Sequence, residues 1–170
     1  MISKRAFLKG TAAFLASGAA LGGYAFGIEP MRTVVTRYNV KPVGWPANLR
    51  LKIAILSDIH ACEPWMTAAR VRRIADQCNG LGADIILLLG DYVAGHHWVT
   101  NWVHSDDWSK ALSGLRAPLG VHAILGNHDW WEDKTAQRAG RGPIFARAAL
   151  ERHGIRVYEN DVLRLVKGDQ

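Results

Sequence analysis

Three short clusters of metal-ligand side chains recur along this 170-residue chain, each directly after an apolar run. The clusters are Asp58-Ile59-His60, Gly90-Asp91 and Gly126-Asn127-His128-Asp129. Carboxylate, imidazole and amide groups of these kinds bind hard or borderline divalent metals. A lone Asp-x-His would be explained by a helix cap and an exposed histidine, whereas three clusters in succession favour a shared metal site.

The residue types in these clusters suit a site for two ions. Asp58 and His60 stand two residues apart, so both converge on one ion at a strand end. A carboxylate such as Asp91 can bridge two ions because each of its oxygens carries lone pairs. Asn127 offers a neutral amide oxygen, which adds no further negative charge to a site that must receive an anionic phosphate. Two ions about 3.5–4 Å apart hold a bridging hydroxide and orient a phosphoryl group for in-line attack. This chemistry predicts phosphoester hydrolysis.

The segments that position the clusters alternate between strands and helices. Apolar runs predict buried strands at 51–56, 84–89 and 120–125, each ending at one cluster. Helical spacing and stop signals predict helices from Pro64 in a first turn to Asn79, from a cap at Asp106 or Asp107 to about Leu115, and from Pro143 to His153. Further strands are predicted at 33–40, 155–158 and 162–166. This alternation predicts an α/β fold whose largely parallel sheet binds ligands beyond the carboxyl ends of its strands.

At the three clusters the sequence resembles the calcineurin-like metallophosphoesterase superfamily, whose opening motifs are D-x-H, G-D and G-N-H-[DE]. The resemblance spans roughly residues 51–166 and implies a double-sheet αββα sandwich. It implies that Asp58, His60 and Asp91 bind the first metal and that Asp91 and Asn127 bind the second, with Mn, Fe or Zn as candidate ions. His128 would be catalytic, contacting the phosphate and assisting the leaving group, while Asp129 supports its ring.

The resemblance is strongest to an exported or membrane-associated branch, some members of which resemble UDP-diacylglucosamine pyrophosphohydrolases. It therefore implies a phosphodiester or pyrophosphate substrate, either a phosphorylated small molecule or a lipid-linked one. Five tryptophans near the second and third clusters leave two alternatives: packing beneath the loops, or an aromatic wall for an apolar part of the substrate or for a membrane interface. They are Trp98, Trp102, Trp108, Trp130 and Trp131.

One departure from the family pattern is the absence of its later histidine and G-H-x-H motif. The last histidine is His153, which helix capping before Gly154 explains. His96 and His97 are expected in an exposed loop, with a ligand role as the alternative. We therefore expect a sandwich that is incomplete at the C-terminus. Two alternatives stay open: an enzyme completed by further residues, and a truncated, non-catalytic remnant.

The first thirty residues differ from the rest of the chain, because a short cationic stretch precedes an uncharged apolar run at 10–27. This pattern predicts an export signal or membrane anchor at 1–30 and a phosphoesterase domain at 31–170. The stretch Ser3–Lys9 resembles the twin-arginine consensus, with Lys4 in place of its first arginine. A Sec signal or a single anchor is the alternative, and cleavage stays open. The expected location is outside the bacterial cytoplasmic membrane, periplasmic or anchored, after export by the Tat or Sec machinery.

Composition excludes some classes of function. The formal charge of +6 favours anionic partners, including a membrane surface, but the basic residues form no stripe and no nucleic-acid recognition motif is present. Nucleic acid is therefore not an expected partner. Cys62 and Cys78 fit no zinc-finger spacing, which leaves two free thiols or a single disulfide.

Overall fold

The chain begins with a long apolar helix. The computed structural model of the protein describes residues 3–95 and 99–168, which form two compact units, Met1–Asn39 and Val40–Gln170. In the first unit, helix α1 (Lys4–Gly23) is followed by a π-helical turn and a 3-10 turn that end at Met31. Among the described residues, Lys4–Met31 is the one helix long and apolar enough to cross a membrane, a property that signal sequences share. It is compatible with an export signal or an anchor.

A four-stranded parallel sheet forms the centre of the second unit. Its strands are β1 (Ile53–Leu56), β3 (Ile85–Leu88), β5 (Val121–Ala123) and β6 (Arg156–Val157), in that spatial order. Two short strands, β2 (Cys62–Glu63) and β4 (Asn101–Trp102), pair antiparallel beside it. The parallel order and the strands at 51–56, 84–89, 120–125 and 155–158 confirm the predicted α/β fold, with shorter strand bounds.

Five helices accompany these strands in the described part of the second unit. They are α2 (Ala68–Asn79), α3 (Ser105–Leu112), α4 (Asn127–Trp131), α5 (Lys134–Ala139) and α6 (Phe145–Arg152). Helix α2 begins at Thr67, whose hydroxyl accepts the N–H of Arg70, and it ends at Asn79 as predicted. Helix α6 ends before His153, also as predicted, and the imidazole of His153 contacts Asp106 at 2.9 Å.

The core lies between the helices and one face of the sheet. Because side chains alternate along a strand, Ala54 is buried whereas Ile53 and Ile55 on the same strand are exposed. Trp108 from α3 is fully buried and stacks on Tyr92, with ring centroids 5.3 Å apart. Tyr92 directly follows Asp91, so this packing anchors the loop after β3 to the core.

The opposite face of the sheet is open in the described ranges, where Ile53, Ile55, Leu89 and Ile124 are exposed. In the described ranges the four-stranded sheet therefore carries a helical layer on one side only. A second large sheet, which the family sandwich implies, is not among them.

Several local predictions are wrong. Residues 33–40 and 162–166 form no strands, because β-branched residues make a strand only where a partner strand is available. Pro64 precedes α2 instead of lying in its first turn. Helix α3 ends at Leu112, not Leu115, and its N-cap is His104, although Asp106 and Asp107 occupy its first turn. Cys62 and Cys78 are buried free thiols, as the first alternative predicted.

Candidate metal centre

The carboxyl ends of β1, β3 and β5 bring the three clusters together. Single ligand atoms of His60, Asp91 and His128 all lie within 4.8 Å of one another. The Nε2 atom of His60 is 3.8 Å from Asp58 Oδ1 and 3.9 Å from Asp91 Oδ2. Side chains that are up to 70 residues apart in sequence (128 − 58) therefore converge on one place.

The backbone bends sharply at three of these residues. Asp58, His60 and Asp91 have φ values of 55°, 44° and 55°, in the left-handed region that non-glycine residues seldom occupy. Each such residue costs about 1–3 kcal/mol and persists only where the surroundings hold it. Here the amide N–H groups of Asp58 and His60 donate to the carbonyls of Gly90 and Asp91 at 3.2 and 2.9 Å. The two loops hold each other in the bent conformation that turns both clusters inward.

Two glycines allow this close approach. A Cβ atom on Gly90 would lie 2.1 Å from the backbone nitrogen of Gly126, and a Cβ on Gly126 would lie 2.2 Å from Asp91 Oδ1. Any side chain at either position would therefore separate the loops after β3 and β5. Gly90 also has a φ of 94°, which favours glycine.

The ring of His60 is held with one nitrogen facing the carboxylates. Its Nδ1 lies 3.0 Å from the carbonyl oxygen of Val93, which only accepts, so in the neutral ring the proton is on Nδ1 and the lone pair is on Nε2. The distances from Nε2 to the oxygens of Asp58 and Asp91 are too long for hydrogen bonds, so an open space separates these three groups. A set of electron-pair donors around one point, with the histidine oriented by a second partner, fits a divalent cation.

Asp129 holds the loops together from behind the centre. Its fully buried carboxylate accepts backbone N–H groups of four residues at 2.9–3.3 Å: Gly126, Asp91, Tyr92 and Val93. Burial raises the pKa of Asp129, and these four N–H groups oppose that rise. The predicted pairing of Asp129 with the ring of His128 is wrong, since both carboxylate oxygens bind backbone amides. The sequence signal for this role is an acid at the third position of a helix, where it reaches back to the cap residue.

His128 lies at the start of α4, between the metal-ligand cluster and an exposed tryptophan. Its backbone N–H donates to Asp91 Oδ1 at 2.8 Å. Its ring packs edge-on to His60 and to Trp131, with centroid distances of 4.9 and 5.2 Å. Its Nδ1 is buried and has no hydrogen-bond partner in the described part of the chain. Glu132 Oε1 lies 3.9 Å from that atom.

Comparison with known proteins adds to this geometry. A family model described as calcineurin-like phosphoesterase matches residues 51–167, which include all three clusters. The chain belongs to this family. Calcineurin-like phosphoesterases are hydrolases of phosphoester bonds and normally bind divalent metals, in agreement with the His60, Asp91 and His128 group.

The relatives that this chain matches are longer proteins. The chain is 28% identical to an uncharacterized metallophosphoesterase, YkuE, of Bacillus subtilis over 99% of its own length and 56% of YkuE. It is 31% identical to an uncharacterized metallophosphoesterase of Aquifex aeolicus, over 65% of this chain and 40% of that protein. It is 32% identical to the UDP-2,3-diacylglucosamine pyrophosphatase LpxG of Chlamydia trachomatis, over 61% of this chain and 30% of LpxG. The chain thus spans about half of these relatives or less, and no solved structure matches it significantly.

The remaining predicted site residues differ in how exposed they are to solvent. Asp58 is exposed and accepts a hydrogen bond from the hydroxyl of Ser57, and Asn127 is an exposed first residue of α4. His96, His97 and Trp98 lie outside the described residues. Trp108 belongs to the core and Trp130 packs partly against it, which supports the packing alternative for these two. Trp102 and Trp131 are 57% and 51% exposed, so they alone of the described four present a large apolar surface.

The sequence patterns single out neither Glu132 nor Gly95 as parts of the site. Both pack against His128 in the structure. The readable signal for Glu132 was its spacing of four residues from His128, which places the two on one face of a helical turn. No sequence signal distinguishes Gly95 from an ordinary loop glycine.

Proposed function

We propose that this protein cleaves a phosphodiester or pyrophosphate bond with the help of two divalent metal ions, and that its substrate is lipid-linked. The observation that carries the proposal is the convergence of Asp58, His60 and Asp91 in strained, mutually bonded loops around one gap. Strain of this kind is maintained at functional sites because the surrounding contacts hold it in place. Core packing does not explain the strained backbone at Asp58, since Asp58 is exposed.

The metal ligands are assigned to residues of the three loops. Asp58, His60 and Asp91 would hold the first ion, and Asp91 and Asn127 would hold the second. Asp91 suits the shared position because Oδ1 already bonds His128 N–H while Oδ2 faces His60, so its two oxygens point to different partners. When bound, the ions supply Lewis acidity and neutralise charge on the phosphoryl group.

His128 is the proton donor to the leaving oxygen in this proposal. Its Nδ1 is sealed from solvent, so Nε2 is the nitrogen available to the substrate. A positioned general acid contributes about 10²–10⁴-fold to a rate. Asp129 has an indirect role, because its carboxylate holds the backbone of Asp91 and the start of α4 in place.

Two observations support a substrate with an apolar part. The exposed ring of Trp131 lies edge-on against His128, so an apolar surface adjoins the proposed reaction centre. The LpxG relative is named for a substrate that carries two acyl chains. We further propose that the N-terminal helix is an export signal or a membrane anchor, so that the protein acts in the periplasm or at the membrane.

The direct test is hydrolysis of bis-p-nitrophenyl phosphate by the full chain with added Mn²⁺. We expect turnover that Asp91→Ala abolishes and that Asp107→Ala, an exposed acid in α3, leaves intact. Mn²⁺ binding without turnover would instead support the alternative of a non-catalytic remnant. Turnover that survives Asp91→Ala would contradict the assigned site.

A further inference from the structure

His128 has an unusual environment for a proposed catalytic side chain. Among the described residues, its Nδ1 is the one buried side-chain nitrogen or oxygen atom that lacks a hydrogen-bond partner. Buried polar atoms in folded proteins almost always have a partner, so an exception calls for a physical reason. In the described part of the chain, Glu132 and Gly95 both lie close to Nδ1.

Glu132 is placed to supply the missing partner. It follows the last residue of α4, and its backbone N–H donates to the carbonyl of His128 at 3.0 Å, so the helical turn continues through it. The two side chains therefore lie on one face of that turn. Glu132 Oε1 is 3.9 Å from Nδ1, and each side chain is only 26% exposed. Closing this gap by about 1 Å makes a hydrogen bond of ordinary length.

Gly95 closes the other side of this pair. A Cβ atom there would lie 2.2 Å from His128 Nδ1 and 2.7 Å from Glu132 Oε1. Gly95 is not among the described glycines with a positive φ, so its backbone conformation suits any residue. The reason for a glycine at this position is space: a side chain would push the imidazole and the carboxylate apart.

The other nearby carboxylates face other groups. Both oxygens of Asp129 accept backbone N–H groups. Asp91 Oδ1 accepts the backbone N–H of His128, and its Oδ2 faces His60. Glu132 is thus the carboxylate left for the ring of His128.

We propose that Glu132 is the positioning residue of His128: its carboxylate accepts a hydrogen bond from Nδ1–H and leaves Nε2 facing the substrate. The pairing stands on this geometry alone, whereas its catalytic consequence rests on the proposed function. In that consequence an attacking hydroxide forms the new bond to phosphorus, and the bond to the leaving group breaks with its electron pair going to the leaving oxygen. The ring of His128, protonated on both nitrogens before this step, gives its Nε2 proton to that oxygen. Nδ1 keeps its proton, held by Glu132 throughout.

The pairing is tested without any activity, by ¹H–¹⁵N spectra of the imidazole rings in the full chain at a pH where the ring is neutral. The signals of His128 are identified by their loss in His128→Gln. We expect a proton on Nδ1 in the unsubstituted protein and its movement to Nε2 in Glu132→Met. Glu132→Gln, which keeps an acceptor oxygen, should retain the Nδ1 proton, and Glu159→Met is the control. A proton on Nε2 in the unsubstituted protein, or no change in Glu132→Met, would overturn the proposal.

The catalytic consequence is tested by varying the leaving group. Glu132→Met should lower kcat for an alkyl phosphate ester by about 10–100-fold, the range typical for removal of a group that orients a site side chain. For a p-nitrophenyl ester, whose leaving group needs no proton, kcat should change less than about threefold, with KM unchanged for both esters. Equal losses on both esters would overturn this role. If the unsubstituted protein shows no turnover, the proposed function fails, and the imidazole spectra still decide the pairing.

Discussion

The two halves of the candidate metal centre differ in how completely the described residues hold them. In the first half, Asp58, His60 and Asp91 are fixed by backbone bonds between loops and by the contact of His60 with Val93. In the second half, Asn127 is exposed and the ring of His128 has a nitrogen without a partner. The first half is therefore preorganised by the fold. The second half has hydrogen-bonding capacity left for Glu132 and for ligands.

Asp129 connects the two halves, so its removal should cause the largest loss of stability among the substitutions considered. Asp129→Ala leaves four buried backbone N–H groups without their acceptor, and we expect the free energy of unfolding to fall by about 3–5 kcal/mol. Urea unfolding followed by circular dichroism measures this loss, with the exposed Asp107→Ala as control. A loss below about 1 kcal/mol would show that the loops hold together without this carboxylate.

The close approach of the loops is tested by a matched pair of glycine variants. Gly90→Ala combines a positive φ with a Cβ only 2.1 Å from a backbone atom, whereas Gly140 has a φ of 61° and no atom within 4 Å of its Cβ. We expect Gly140→Ala to cost about 1–2 kcal/mol from φ alone and Gly90→Ala to cost clearly more. Thermal unfolding of both variants gives the difference. Equal costs would mean that the loops move apart freely.

The exposed tryptophan beside the second half should affect lipid substrates selectively. Trp131→Ala removes an aromatic contact worth about 0.5–1.5 kcal/mol, so KM for a lipid-linked pyrophosphate should rise about 2–10-fold. KM for bis-p-nitrophenyl phosphate should not change. Val162→Ala, an exposed apolar position elsewhere, is the control. The same rise on both substrates would remove the argument for a lipid-linked substrate.

The smallest effect is expected away from both halves, at Asp106. Hydrogen bonds from His153 and Arg152 hold the pKa of Asp106 below its ordinary value of 3.8. A carboxylate whose folded pKa is depressed adds stability above its unfolded pKa, and that stability is lost as pH falls through the folded value. Asp106→Asn should therefore flatten the fall of Tm below about pH 4 relative to the unsubstituted protein. An unchanged Tm profile from pH 2.5 to 6 would contradict the pairing.

The convergence of the three clusters at one edge of the sheet could be predicted from the sequence, whereas many of the contacts of the second half could not. Apolar runs locate β1, β3 and β5, and parallel strands end at one edge, so the convergence of the clusters follows. The partners of Asp129 depend on how two loops meet, which spacing does not encode. The strand prediction at 33–40 was wrong for the same reason, since strand pairing depends on residues that are distant in sequence. The position of Glu132 beside His128 could be predicted only if the helical turn of α4 were known to continue past Trp131.

The most direct test of the metal centre is Mn²⁺ binding to the full chain by titration calorimetry. We expect binding by the unsubstituted protein that His60→Ala and Asp91→Asn each weaken by at least about 100-fold, while Asp107→Asn leaves it unchanged. Absence of binding, or binding that survives both ligand substitutions, would contradict the claim that these loops form a metal site.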